Sequence, residues 1–559
     1  MSQVLTVKIA APAGLGIKSG GLLLDKILTA HGLNLKDYTE YPSLVRGGHN
    51  SFQVSFSPDP VFAVHFQVDL FFSLLGGHWQ PHLTEFSKDT LVFGDEEFPE
   101  LPGFGTFINL PLKQISLELN NQLVVNTICI GVIAYLYNLN RKIAQTCIQA
   151  QYGKYADVNL LAFDAGFTYA QNHLTQYAHP LSLPSKANPK SHLADGNESF
   201  GWGFIKGGGN FYAAYPMTPA TGALHFLAEK QKEHNLNVYH PEDEIAVANM
   251  AAGAAFAGAR SAVGTSGGGF VLMDETISFC GVTEIGMVYY LVSRPGPATG
   301  LPTWTGQGDL LHAINAGHGE FPKVVLAPGS QEESFEFSAE ALNLAAILQT
   351  PVIVLSDKYL GESSSNVPDF SRQKFKVDHG LIEPKPAPSF YRYSLPAKNG
   401  ISPRSIPGAP NGEFLANSYE HDQTGFATED STQATQMAKK RQAKLKYTQK
   451  LCPKYKLFGP KNAPNLIISW GSTAMPILES LPLLSGFSFL QIRTLWPLDP
   501  KIRLLISKYK KVYLFEANQT GQLTTLLKSQ FAFSPNRQFL KYDGRPFYPE
   551  EIIGFLAKK

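Results

Sequence analysis

The sequence predicts an α/β protein built from several domains around largely parallel sheets. Three observations carry that expectation. Short β-branched runs alternate with longer helical stretches through the middle and end of the chain, the pattern of strands covered on both faces by helices. Near the start, a glycine-rich turn joins an apolar run to a stretch with helical periodicity. Finally, 559 residues exceed what one hydrophobic core organises, so roughly three or four domains are expected.

Taken in order, residues 4–10 form an apolar strand candidate. AGLGIKSGG follows, and then Leu23, Leu24, Ile27 and Leu28 recur at helical spacing. Further strands are expected at 51–56 and 61–66. Residues 123–137 are the most membrane-like stretch, but Asn126 and Thr127 interrupt it and it falls short of the ~20 residues a span needs. A buried helix is the better expectation. The stretch 179–192, HPLSLPSKANPKSH, has linker composition and closes a first region at 1–190. In a second region, 193–369, strand candidates at 287–292, 323–326 and 351–355 alternate with helices at 243–259 and 332–348. Residues 370–457 break the pattern with clustered prolines and a polar, basic helix candidate at 433–446. A last α/β unit, 458–559, offers strands at 466–469, 490–495 and 512–515.

Charge and cysteine usage narrow the function classes. The 47 Lys and Arg balance 46 Asp and Glu, which argues against a general nucleic-acid binder, whose affinity comes from a basic surface. Cys129, Cys147, Cys280 and Cys452 stand far apart, so no CxxC pair offers a zinc, redox or iron–sulfur site within this chain. That usage suits a reducing compartment, and the opening MSQVLTVKIAAPAG lacks the features of a signal peptide. A cytoplasmic protein with no membrane attachment is expected.

Several loops could carry chemistry. The first glycine cluster has GxGxxxG spacing rather than the dinucleotide-binding GxGxxG, and a tight strand-to-helix turn is the more economical reading. Arg46-Gly47-Gly48-His49-Asn50 suits an anion-binding or subunit-contact loop and a plain polar turn about equally. The second region is richer. Tyr215-Pro216-Met217-Thr218-Pro219 holds a hydroxyl in a stiff loop. Glu242-Asp243-Glu244 heads a helix of small residues, and three carboxylates there could simply complement the helix dipole. Thr265-Ser266-Gly267-Gly268-Gly269 follows a short apolar run, and SRPGPATGLPT sets the Arg294 guanidinium on a rigid loop that runs to Thr303, a good device for a carboxylate. Four such loops in one α/β region point to a site.

In combination these motifs resemble the α subunit of 2-oxoacid:ferredoxin oxidoreductases, in the form with a fused N-terminal γ domain. AGLGIKSGG and YPSLVRGGHN look like the γ portion. DGNESF, YPMTP, EDEIAVANMAAGAAFAGAR, TSGGGFVLMDE, SRPGPATGLPT, QGDL and GHGEFPKVVLAP look like the pyrimidine-binding domain, and SPRSIPG, ISWGST and EANQTGQL match later segments. The resemblance implies a γ-type domain at 1–190, a thiamine diphosphate pyrimidine-binding domain at 193–369, an irregular segment at 370–457 and a transketolase-C-like α/β domain at 458–559.

It also implies roles. Glu244, nine residues before Gly253, would hydrogen-bond N1′ of the aminopyrimidine and favour the tautomer whose 4′-nitrogen removes the C2 proton. Tyr215, Pro216, Ser266 and Gly267 would line the cofactor. Thr218, Arg294 and Thr303 match positions that hold the substrate carboxylate or neighbouring oxygens. The chain shows no GDG followed by Asn to hold Mg²⁺ and the diphosphate, and no cluster cysteines. The family places Mg²⁺ and a [4Fe–4S] cluster on a separate β subunit, so an (αβ)₂ assembly is implied, with ferredoxin as acceptor and coenzyme A receiving the acyl group. The fused layout resembles 2-oxoglutarate enzymes most, with pyruvate and branched-chain oxoacids as alternatives. Gly268 and Ala298 stand where the family commonly has proline and serine, which leaves the substrate open. A transketolase-type enzyme would normally carry its own metal–diphosphate motif. A scaffold that kept only the fold would not need Glu244, Thr218, Arg294 and Thr303 together.

Overall fold

The computed structural model describes residues 3–43, 48–74, 76–96, 103–184, 188, 190–395 and 397–558. The chain divides into two compact units: Met1–Ala194 with Ser363–Asp369 and Tyr548–Lys559, and Asp195–Glu362 with Phe370–Phe547.

The first unit is built on an eight-stranded sheet. Its order is Thr106–Asn109, Phe86–Gly94, Val68–Ser73, Leu5–Pro12, His49–Ser57, Asn34–Glu40, Ser365–Val367 and His192–Ala194. The first four strands run parallel and the remaining pairs antiparallel. The expected strand at 4–10 is Leu5–Pro12 and the helix after it is Ile17–Ala30, which buries Leu23, Leu24, Ile27 and Leu28 on one side. The helix expected within 123–137 is Val125–Leu136, almost entirely buried. Among the described residues no helix is long and apolar enough to cross a membrane.

One expectation fails here. Residues 61–66 form no strand; the strand begins at Val68. The reason lies in side chains: Ser55 Oγ accepts from the His65 N–H at 3.0 Å and Gln53 Nε2 donates to the His65 carbonyl at 2.5 Å, so these groups are bound by side chains of Gln53 and Ser55 instead of a backbone ladder.

The second unit holds two sheets. A seven-stranded sheet has the order Thr494–Trp496, Val324–Leu326, Val352–Asp357, Val288–Ser293, Ser261–Thr265, Phe211–Ala213 and Asn237–Tyr239, parallel except for its first strand. Val288–Ser293 and Val352–Asp357 are buried at every position, as strands covered on both faces must be. A five-stranded sheet has the order Lys456–Phe458, Phe487–Ile492, Asn465–Trp470, Lys511–Glu516 and Arg537–Leu540, again parallel except at the first strand. One apolar cluster joins Val263, Leu291 and Leu355 to Ile468, Trp470 and Leu514.

The strand expected at 490–495 splits. Phe487–Ile492 stays in the five-stranded sheet, and Thr494–Trp496 adds an antiparallel edge to the seven-stranded one. Arg493 sits at the break, with its guanidinium on Glu333 at 3.0 Å and Glu336 at 2.9 Å. Its carbonyl accepts from Ala327 N–H at 2.8 Å.

Candidate functional site

Loops leaving the carboxyl ends of neighbouring parallel strands build the site, the edge at which open α/β sheets take ligands. Residues 214–220 follow Phe211–Ala213, Ser266 and the short helix Gly267–Leu272 follow Ser261–Thr265, and residues 294–305 follow Val288–Ser293. Glu244 opens the helix Glu244–Phe256, which follows the adjoining strand Asn237–Tyr239.

The three carboxylates at that helix start have separate fates. Glu242 is exposed. Asp243 caps the helix, accepting from the Ala246 N–H at 2.8 Å. Glu244 turns inward, is only 5 % exposed, and its Oε1 is buried with no hydrogen-bond partner. It lies over Gly269: a Cβ there would fall 2.7 Å from both Cγ and Oε1 of Glu244 and overlap Thr265 Oγ1. Thr265 Oγ1 in turn lies 3.8 Å from Met217 Sδ. The alanine-rich face, with Ala248, Ala251 and Ala255 in one cluster with Ala213 and Val263, lets the helix lie close to the sheet.

Arg294 is half-buried, and its Nη1 donates to the Thr218 carbonyl at 2.6 Å. Burial pulls its pKa down, with the Asp309 carboxylate opposing. Thr303 is buried and its Oγ1 has no partner; Ser266 is fully buried and its Oγ has none either. Tyr215 stands at the surface, edge-on to His240 at 5.6 Å, and Pro216 is exposed. Thus Thr218 and Arg294 touch, Glu244 sits against Gly269, and Tyr215 and Pro216 remain at the surface. Among the described residues no hydrogen bond joins Thr303 to Arg294 or Thr218.

Two residues in motifs quoted above have no role assigned to them from the sequence. Thr265 sits between Met217 and Glu244, and Asp309 accepts from Ser293 Oγ at 2.7 Å. A Cβ on Gly267 would come within 2.9 Å of the Asp309 carboxylate. QGDL contains Asp309, but nothing in its spacing shows which way the carboxylate turns.

In the first unit, Gly16 is left-handed (φ 68°) at the start of helix Ile17–Ala30. Asn126 Nδ2 donates to the carbonyls of Leu15 and Gly16 at 3.2 and 2.9 Å, so the glycine cluster is braced as a strand-to-helix joint. Arg46 and Gly47 lie outside the described residues. His49 joins a chain, with Nδ1 3.0 Å from His78 Nδ1 and Nε2 2.7 Å from His82 Nε2. Burial, and then the neighbouring imidazoles, lower its pKa to about 4.

Residues 203–440 match the family profile described as pyruvate flavodoxin/ferredoxin oxidoreductase, thiamine diphosphate-binding, and residues 6–169 match that of pyruvate ferredoxin/flavodoxin oxidoreductase. The chain is 33 % identical to subunit alpha of 2-oxoacid:ferredoxin oxidoreductase 2 from Aeropyrum pernix, over 81 % of this chain and 75 % of that one. It is 29 % identical to the 2-oxoacid:ferredoxin oxidoreductase subunit alpha of Saccharolobus solfataricus, over 97 % and 96 %. A solved structure of 2-oxoglutarate:ferredoxin oxidoreductase from Magnetococcus marinus, with 2-oxoglutarate, coenzyme A and succinyl-CoA bound, superposes with a TM-score of 0.94 over the whole of both chains at 27 % identity.

Proposed function

Since this chain belongs to the α-subunit family of 2-oxoacid:ferredoxin oxidoreductases, we propose that it contributes the aminopyrimidine half of a thiamine diphosphate site in the oxidative decarboxylation of 2-oxoglutarate. One observation carries the reading: the buried, partnerless Oε1 of Glu244 beside a glycine that leaves room above it. A carboxyl oxygen stripped of water without a donor costs roughly 1–3 kcal/mol or more, and a ring nitrogen delivered by a cofactor supplies the missing partner. The residues present therefore fit the group.

When bound, thiamine diphosphate supplies the carbon nucleophile and electron sink that decarboxylation needs. Glu244 holds a proton at the pyrimidine N1′. Ser266 and Thr303 offer two further buried hydroxyls without partners. Tyr215, Pro216 and Gly267 line the cofactor in this reading. Arg294, with Nη1 held on the Thr218 carbonyl, presents its remaining donors to the substrate carboxylate, and Thr218 is the second residue assigned to that group in this reading. Binding there must stay moderate, because a ground state held too tightly does not accelerate loss of that carboxylate.

The diphosphate, Mg²⁺ and [4Fe–4S] cluster belong, in this reading, to a β subunit in an (αβ)₂ assembly in the cytoplasm. Ferredoxin takes the electrons singly and coenzyme A takes the acyl group. Support comes from the absence from this sequence of both a metal–diphosphate motif and grouped cysteines. The test is viologen reduction by the complex co-purified from its native source, across a panel of 2-oxoacids with coenzyme A. The highest kcat/KM is expected for 2-oxoglutarate; preference for pyruvate or a branched-chain oxoacid would overturn the substrate, and turnover of none would overturn the function.

A further inference from the structure

Asp309 occupies the N-cap position of the helix Leu310–Asn315, where an aspartate ordinarily accepts from the backbone N–H two or three residues on. It does not. Its side chain makes no capping bond, and the Leu311 N–H goes instead to Gln522 Oε1 at 2.9 Å. The carboxylate has turned to the end of the neighbouring strand, where Oδ2 accepts from Ser293 Oγ at 2.7 Å, one residue before Arg294. Gly267 makes this possible, since a Cβ there would press within 2.9 and 3.0 Å of the two Asp309 oxygens.

The segment Gly267–Leu272 thus separates two carboxylates, with Asp309 against Gly267 and Glu244 against Gly269. Burial raises the Asp309 pKa, opposed by the Ser293 hydrogen bond and then by His312 and Arg294, and no hydrogen bond joins Asp309 to Arg294 among the described residues. An anion set beside the guanidinium but not bonded to it weakens the field that a substrate carboxylate meets, and leaves the donors available.

Resting on the reading of Arg294 given above, we propose that Asp309 is a positioning residue that fixes the Ser293–Arg294 junction and moderates how tightly Arg294 holds the departing carboxylate. The two parts separate chemically. Asp309→Asn keeps an acceptor for Ser293 Oγ and removes the charge. Ser293→Ala removes the hydrogen bond and keeps the charge.

The experiment is steady-state kinetics of the assembled complex with 2-oxoglutarate and viologen. For Asp309→Asn, KM and kcat should fall together by roughly two- to fivefold, the size of a partly exposed charge pair, with kcat/KM nearly unchanged. For Ser293→Ala, KM should rise instead. A purely structural carboxylate predicts KM unchanged or raised in both variants, and either result for Asp309→Asn overturns the proposal. Should Asp309→Asn fail to assemble, an unchanged or lowered KM in Ser293→Ala overturns it. Wild-type complex that turns over no 2-oxoacid would refute the reading of the site itself; normal wild-type turnover with an unmoved Asp309→Asn refutes only the inference.

Discussion

A carboxyl group that loses water on folding must find donors, meet a cation or give up its charge. The chain illustrates the last two. Glu284 meets cations: burial alone would raise its pKa, but Lys444 and Lys440, at 2.6 and 2.5 Å, hold it well below the usual carboxylate range. Asp25 is pushed towards its neutral form. It is fully buried, no donor reaches either oxygen, and burial followed by the neighbouring Asp37 pushes its pKa well above normal. A carboxyl raised on folding contributes stability that is present below its unfolded pKa of ~3.9 and lost as pH rises through the folded value. Asp25→Asn should therefore stabilise the first unit at pH 7 by about 1 kcal/mol or more, with little effect at pH 4, read as the thermal transition at each pH. A variant equally unstable at both would contradict the account. Glu244 Oε1 meets none of these conditions among the described residues, and in the proposed reading the bound cofactor supplies its partner. At Arg294, replacement by lysine should weaken 2-oxoacid binding about tenfold to over a hundredfold, the worth of a charge-assisted bond, and leave thiamine diphosphate affinity unchanged. Equal losses of both affinities would make Arg294 an interface residue. The positions of Glu244, Arg294 and Thr218 could be read from motifs. That Glu244 turns inward while Asp243 caps could not, because three adjacent carboxylates look alike until a cap is chosen.

At the scale of elements, the helices named from periodicity and most of the strands named from it are present with ends displaced by a few residues, but others, such as the helices Ala156–His173 and Thr221–His234, were not named. Periodicity failed where side chains replaced a ladder, as at His65, and where one apolar run served two sheets, as at Arg493. It also left hidden what the basic helix does. In sequence, residues 433–446 read only as a polar, basic helix, yet in the helix Ser431–Leu451 Lys440 and Lys444, one turn apart, are buried on Glu284. Glu284→Gln would strand two buried ammonium groups, and a loss of about 3–5 kcal/mol is expected. Limited proteolysis across 370–457 reads it, and wild-type protection would show the pair to be dispensable. The sign with pH also follows. A depressed carboxylate stabilises above its unfolded pKa, so this anchor should hold at neutral pH and weaken as pH falls below ~4. The glycine segment makes a sharper test of the site. Gly269→Ala puts a methyl group onto Thr265 Oγ1 and Glu244, so turnover should be lost while Gly268→Ala, with open space around it, is tolerated. Equal activity of the two would remove the packing argument.

For the whole molecule, the α/β class was legible in the sequence, and the lack of a metal–diphosphate motif there motivates the proposal that the chain holds one half of a cofactor site. The topology of the first unit was less legible: antiparallel pairs flank its parallel strands, and Ser365–Val367 joins that sheet from a distant part of the chain. If the site is half of an enzyme, the isolated chain should show no iron–sulfur absorbance and no turnover, and both should appear on adding the β subunit; turnover by the single chain would refute the division of labour. The central claim, that Glu244 governs the pyrimidine of bound thiamine diphosphate, is tested most directly by deuterium exchange at C2 of the cofactor in the assembled complex. Glu244→Gln should fold, assemble and bind the cofactor, with C2 exchange slowed by roughly 10²–10⁴-fold, the range of a lost acid–base group. Exchange at the wild-type rate in that variant would contradict the account.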